Sequence, residues 1–149
     1  MANEQKEPQI QIHKLYIKDT SFEVPGGSKS FTKEWKPELS VELNHQTKAL
    51  AEENTFEVCL RVKATVKNGG EDAFTVEVQQ AGVFALTDFD DEKKDQVLGA
   101  FCPGLLYPYA REVVSDLVSK GGFPQLVLSP VNFDAIYAES KAVPQEEKH

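Results

Sequence analysis

Residues 56–67 alternate without a break. Phe56, Val58, Leu60, Val62, Ala64 and Val66 take one parity, and Glu57, Cys59, Arg61, Lys63, Thr65 and Lys67 take the other. Successive side chains of a strand point to opposite faces, so this spacing predicts one long strand with an apolar and a polar face. Asn68-Gly69-Gly70 follows, supplying the residues that tolerate positive φ in a tight hairpin turn. Phe74, Val76 and Val78, alternating with Thr75, Glu77 and Gln79, predict the return strand. An earlier strand is predicted from about Gln9 to Val24. Ile10 and Ile12 share one parity and Leu15 and Ile17 the other, so a bulge falls at His13 or Lys14. Pro25-Gly26-Gly27 ends that strand. A crossover loop carrying Phe31, Trp35 and Pro37 leads to a shorter strand over about Leu39–Leu43.

The pattern then changes period. Residues 88–95 are charged and predict a solvated connection, with a short helical turn over Val97–Phe101. A main helix is predicted from Pro108, where a missing N–H costs nothing. Tyr109, Ala110, Val113, Val114, Leu117 and Val118 recur at helical spacing, and Gly121-Gly122 then Pro124 stop it. Gln125–Pro130 predicts an extended apolar loop. A last helix, capped by Asn132, carries Phe133, Ile136 and Tyr137. The class is α+β: a four-stranded antiparallel sheet followed by two helices. One domain is expected over residues 9–142, with mobile polar tails at 1–8 and 143–149.

Charge narrows the partners. Asp+Glu number 24 against Lys+Arg 16, a formal net charge of −8. Phosphate backbones and anionic membrane surfaces repel such a chain, so no nucleic acid and no membrane insertion are expected. Basic or apolar partners fit. The first residues lack the apolar core of a signal peptide, and no apolar run approaches the ~20 residues of a membrane span. Cys59 and Cys102 form no CxxC pair, which points to free thiols in a reducing, cytoplasmic setting.

Motifs for catalysis are missing. His13 and His45 sit in separate segments, and His149 ends the chain. No zinc spacing, calcium loop, Walker A or GxGxxG sequence occurs, and Asp90-Asp91-Glu92 reads as a solvated charge run. Cys59 lies on the polar parity with no base beside it. Neither enzyme chemistry nor a cofactor nor a metal is expected.

Apolar material is in surplus. One principal helix rises ~1.5 Å per residue and a strand ~3.3 Å, so the helix covers only part of the long apolar face. Trp35, Leu126, Val127, Leu128 and Phe133 add more in or beside loops. Two outcomes fit the pattern: loops that fold back to close a monomer, or self-association with an open apolar groove.

Several segments together resemble the SecB family of bacterial export chaperones. They are Leu15-Tyr16-Ile17-Lys18-Asp19-Thr20-Ser21-Phe22-Glu23, Phe56–Val62, Ala73–Gly82 and Cys102-Pro103-Gly104-Leu105-Leu106-Tyr107-Pro108-Tyr109-Ala110-Arg111-Glu112. Gly122-Phe123-Pro124-Gln125-Leu126 and Ser129-Pro130-Val131-Asn132-Phe133-Asp134-Ala135 complete the set. The resemblance implies a homotetramer, a dimer of dimers, that holds unfolded preproteins and delivers them to SecA, the motor ATPase of the translocon. Motor-docking positions of the family map onto Asp19, Glu23, Thr75 and Glu77. Thr75 stands where members of the family often carry Leu, which weakens apolar contact there. Tetramer-forming positions map onto Val76, Val78 and Gln80, with the main helix packing between dimers. Phe31, Trp35, Leu126, Phe133 and Tyr137 are expected to line the client groove, with ordinary core as the competing reading for each. Other readings are a chaperone of this build dedicated to a toxin–antitoxin partner, a small hydrolase or isomerase using the groove as its pocket, and a purely structural oligomer.

Overall fold

In the computed structural model, which describes residues 7–142, four strands come first: β1 (Gln9–Glu23), β2 (Pro37–Ala49), β3 (Thr55–Asn68) and β4 (Glu71–Thr87). Helices α1 (Asp91–Gln96), α2 (Cys102–Lys120) and α3 (Phe133–Ala142) follow. Apart from Glu7 and Pro8, the two expected tails lie outside the described residues.

The strands form one sheet in the order β1-β4-β3-β2, every neighbour antiparallel. Gly69 and Gly70, at φ 65° and 86°, make the two-residue turn between β3 and β4. This is the geometry that matches the right-handed twist of the flanking strands. The β1 register slips between Ile12 and Lys14, which makes His13 the extra residue of the expected bulge. A second slip, between Ile17 and Asp19, was not anticipated. Together the two bulges return Ile10, Ile12, Leu15, Ile17 and Phe22 to one face, opposite Leu86, Phe84, Gly82, Gln80 and Val76. β2 is longer than the expected Leu39–Leu43. Pairing with β3 carries it through the polar stretch Asn44–Lys48, where apolar alternation gives no signal.

Two helix boundaries also need correction. The charged stretch is not only a solvated connection, because α1 begins inside it. The Asp90 carboxylate accepts from the Lys93 N–H at 2.8 Å and caps the helix, with Asp91 and Glu92 in the first turn where the dipole favours acid. A π-helical turn, Val97–Phe101, joins α1 to α2, which starts at Cys102 and not at Pro108. Pro108 lies inside α2. An interior proline costs ~3 kcal/mol. Burial of Cys102, Pro103, Leu106 and Tyr107, all on the added turns, offsets it. Verdict: packing overrides propensity there.

The core lies between α2 and the middle of the sheet. Val58, Leu60, Val62, Ala64, Val76 and Val78 meet Leu106, Ala110, Val114 and Val118, spaced four apart down α2. Phe123 joins the C-terminal end, its ring 4.7 Å from Phe74 and 6.5 Å from Phe22. Gly121 has no Cβ for a reason: one built there would stand 2.3 Å from the Phe22 ring. At the other end, Tyr107 donates to the Ser129 carbonyl at 2.5 Å and stacks edgewise on Phe133. Asn132 caps α3, its Oδ1 accepting from the Ala135 N–H at 3.0 Å.

Candidate functional site

The helix-facing side of the sheet is not uniformly covered. α2 packs on β4 and β3, touches β1 lightly, and leaves β2 aside. Leu39, Val41 and Leu43 of β2 pair with Val66, Ala64 and Val62 and so share their face. Yet Leu39 is 46% and Val41 41% exposed, while Val62 and Ala64 are fully buried. Val127, in the extended loop, is 66% exposed, and Phe31 in the crossover loop 53%. The crossover loop is tied down. Asn68 Oδ1 accepts from the Lys36 N–H at 2.7 Å, and the rings of Phe31 and Trp35 sit 4.9 and 5.6 Å from Phe123.

The five residues expected in one groove divide between two places. Phe31 and Trp35 gather around Phe123 beyond the C-terminal end of α2, and Leu126 is half-buried against the core. Phe133 is buried against Tyr107, and Tyr137 reaches Asp95 at 2.7 Å. Residues 107 and 121 are separated by ~20 Å of helix. Phe133 still borders a hollow of about 680 Å³ with Phe101, Leu105, Pro130 and Val131.

The outer face is polar and ordered by register. Asp19, Gln79, Arg61 and Asn44 form one row across the four strands. Ser21, Glu77, Lys63 and Glu42 form the next, and Glu23, Thr75, Thr65 and Ser40 the third. Asp19, Glu23, Thr75 and Glu77 therefore share this face on adjacent strands. Glu77 is not free. Arg61 Nε donates to its Oε2 at 2.7 Å and Nη2 to its Oε1 at 3.3 Å, which holds the carboxyl below its ordinary range. Further along, Glu57 accepts from Tyr16 and, at 3.0 Å, from Lys18. The bond to Glu57, reinforced by burial, pushes the Tyr16 phenol up to about 12.

Val76 and Val78 have no exposed surface, because α2 of the same chain covers them. The two positions expected at a tetramer interface therefore pack inside the chain's own core. Gln80 shares that face and is buried, donating to the Tyr16 carbonyl at 3.2 Å. Its Oε1 has no partner among the described residues.

Comparison with known proteins gives this architecture a lineage. The family described as preprotein translocase subunit SecB matches residues 3–143. The chain belongs to the SecB family. It is 50% identical over 141 residues to the protein-export protein SecB of Psychrobacter arcticus, covering 95% of this chain and 94% of that one. The SecB of Alcanivorax borkumensis is 49% identical over 143 residues, covering 95% and 90%. Among solved structures, the SecB-like chaperone of Mycobacterium tuberculosis, in complex with a peptide from an antitoxin, shares the fold. Its TM-score is 0.64 at 22% identity, over 82% of this chain and 90% of that one. SecB membership makes this chain a preprotein-export chaperone.

Sequence reasoning missed the open strip itself. Leu39 and Val41 carry the alternation of any half-buried strand, and only the placement of α2 leaves them bare. Thiol chemistry gains no support. Burial pushes the Cys102 thiol up to about 12 and raises that of half-buried Cys59, whereas a nucleophile needs a lowered value. Among the described residues no cluster of three or more His, Cys, Asp or Glu could hold a metal, and no helix is long and apolar enough to cross a membrane.

Proposed function

We propose that this chain holds unfolded preproteins on the uncovered apolar strip of β2 and the neighbouring loops, and passes them to SecA from the acidic outer face. One observation carries the holding role. Leu39 and Val41 stay open on β2, while their partners Val66 and Ala64 on the same sheet face are core. Apolar segments of a client lose water against such a strip at ~25 cal/mol per Å² buried, and no particular sequence is required. Phe31, Trp35, Leu126 and Val127 extend the surface on one side. The hollow beside Phe133, with Tyr137 nearby, offers a second place for apolar side chains. Several weak sites on one assembly raise the effective concentration of a client already held at one of them.

Delivery is supported by Asp19, Glu23, Thr75 and Glu77 sharing the face turned away from the groove. A client and a basic partner surface can then be held at once. The holding step needs no catalysis and no bound nucleotide, and the reading sets the protein in the bacterial cytoplasm with both cysteines free.

Assembly into a tetramer is part of the same reading. Ile12 and Ile17 are exposed on the edge strand β1, and a hollow of about 510 Å³ between β1 and α2 is lined by Ile17, Val113, Leu117 and Gln125. A neighbouring copy seated there would bury these residues. Native mass should then be four times that of the 16.6 kDa chain.

The test uses two readouts. The chaperone should suppress aggregation of a denatured protein diluted into it. Asp19→Lys with Glu23→Lys should abolish binding to purified SecA while leaving suppression intact. Unchanged SecA affinity would remove the docking assignment, and no suppression would remove the holding role.

A further inference from the structure

The outer face carries its own cation inside the acidic patch. Asp19 and Glu23 are four residues apart on β1, ~13 Å along the strand, and Glu77 lies one strand inward, level with Ser21 between them. Three carboxylates thus form a triangle suited to a basic partner surface. Two of them are exposed and make no ion pair with another described residue. The third is different. Both Glu77 oxygens are taken by the Arg61 fork, and Lys63 stands directly opposite on β3. Arg61 comes from the diagonal position, one row away, a separation that a long side chain spans easily. It also stands 4.0 Å from Glu42 on the far edge strand, at the limit of an ion pair.

We infer that Arg61 sets the specificity of the docking face by occupying Glu77 in the free protein and competing with the cationic groups of the partner for it. This rests on the docking reading above. In the free chaperone the working charge of the patch is that of Asp19 and Glu23, because Glu77 with Arg61 is close to neutral. A partner gains Glu77 only by presenting a cation placed well enough to displace or share the guanidinium. Weakly basic or misplaced surfaces gain nothing from it. The arrangement keeps a negatively charged chaperone from binding every basic protein it meets, and reserves the third contact for one geometry. Like charges kept off the patch are as much a part of specificity as attractive ones.

The experiment measures SecA affinity of the full-length chaperone against salt concentration for Arg61→Gln, Arg61→Lys and Arg61→Gln/Glu77→Gln. Arg61→Gln should bind roughly two- to five-fold tighter, the range expected for freeing one partly exposed charge, with a steeper fall in added salt. Arg61→Lys keeps the charge but loses the fork and should fall between wild type and Arg61→Gln. The gain should vanish in the double variant, since it acts through Glu77. Weaker or unchanged binding by Arg61→Gln would overturn the inference, weaker binding assigning Arg61 a positioning role instead. Asp19→Lys/Glu23→Lys separates the two levels. If that reversal abolishes SecA binding while Arg61→Gln changes nothing, only the inference falls. If the reversal changes nothing, the docking reading falls first. Suppression of aggregation, which uses the opposite side of the sheet, should match wild type in every Arg61 variant and shows that each is folded.

Discussion

Val62 and Val41 lie on the same face of the same sheet, on adjacent residue pairs of neighbouring strands, and have opposite fates. Val62 is fully buried beneath α2, whereas Val41, on β2, is 41% exposed. Side-chain chemistry does not distinguish them. What differs is the path of α2, which follows β4 and β3 and stops short of the edge. If the strip holds clients as proposed, a chaperone surface need not be a special kind of surface. It can be unfinished core, kept open because no element of the chain is placed over it. The crossover loop does not close it, being held by Asn68 and by Phe123.

Breaking the covered side should cost most. Leu106→Ala empties a fully buried position between α2 and the sheet and should destabilise the fold by about 2–5 kcal/mol in denaturant melts. A loss under 1 kcal/mol would mean that α2 is not the lid of this core. Gly121→Ala should cost less, about 1–3 kcal/mol, because its Cβ collides with the Phe22 ring and that ring must shift among Phe74 and Phe123. A stability equal to wild type would show that the ring moves freely.

The smallest effect concerns acid. Tyr137 and Lys141 of α3 both bond Asp95, at 2.7 and 2.8 Å, and Lys141 first, then Tyr137, lowers the Asp95 carboxyl below its ordinary 3.8. A carboxyl depressed on folding stabilises fully above its unfolded value and loses that contribution as pH falls through the folded one. The Tyr137 resonances in NMR should therefore titrate with a midpoint below the ordinary carboxyl value of 3.8, with the core strands still intact. A shift centred near pH 6 would contradict this.

Much of this was legible in the chain. The β3–β4 hairpin announced itself because both faces alternate and Asn68-Gly69-Gly70 marks the turn. The second β1 bulge was not legible: only the pairing with β4 shows that Ile17 and Phe22 face the same side five residues apart. The start of α2 was masked by Pro108, whose interior position only the packing of Leu106 and Tyr107 explains. Nor could the sequence pair Arg61 with Glu77. That contact is diagonal, and it depends on the register of two strands joined by the turn. The open strip was the least legible feature, since exposure depends on what another segment does not cover.

The central claim is most directly tested by titrating a permanently unfolded polypeptide into the Leu39→Ser/Val41→Ser variant by calorimetry. Binding should weaken roughly tenfold or more as apolar area is lost from the contact, with melting temperature and native mass unchanged. Wild-type affinity in a folded variant would contradict the account, because clients would then be held somewhere other than on this uncovered strip of sheet.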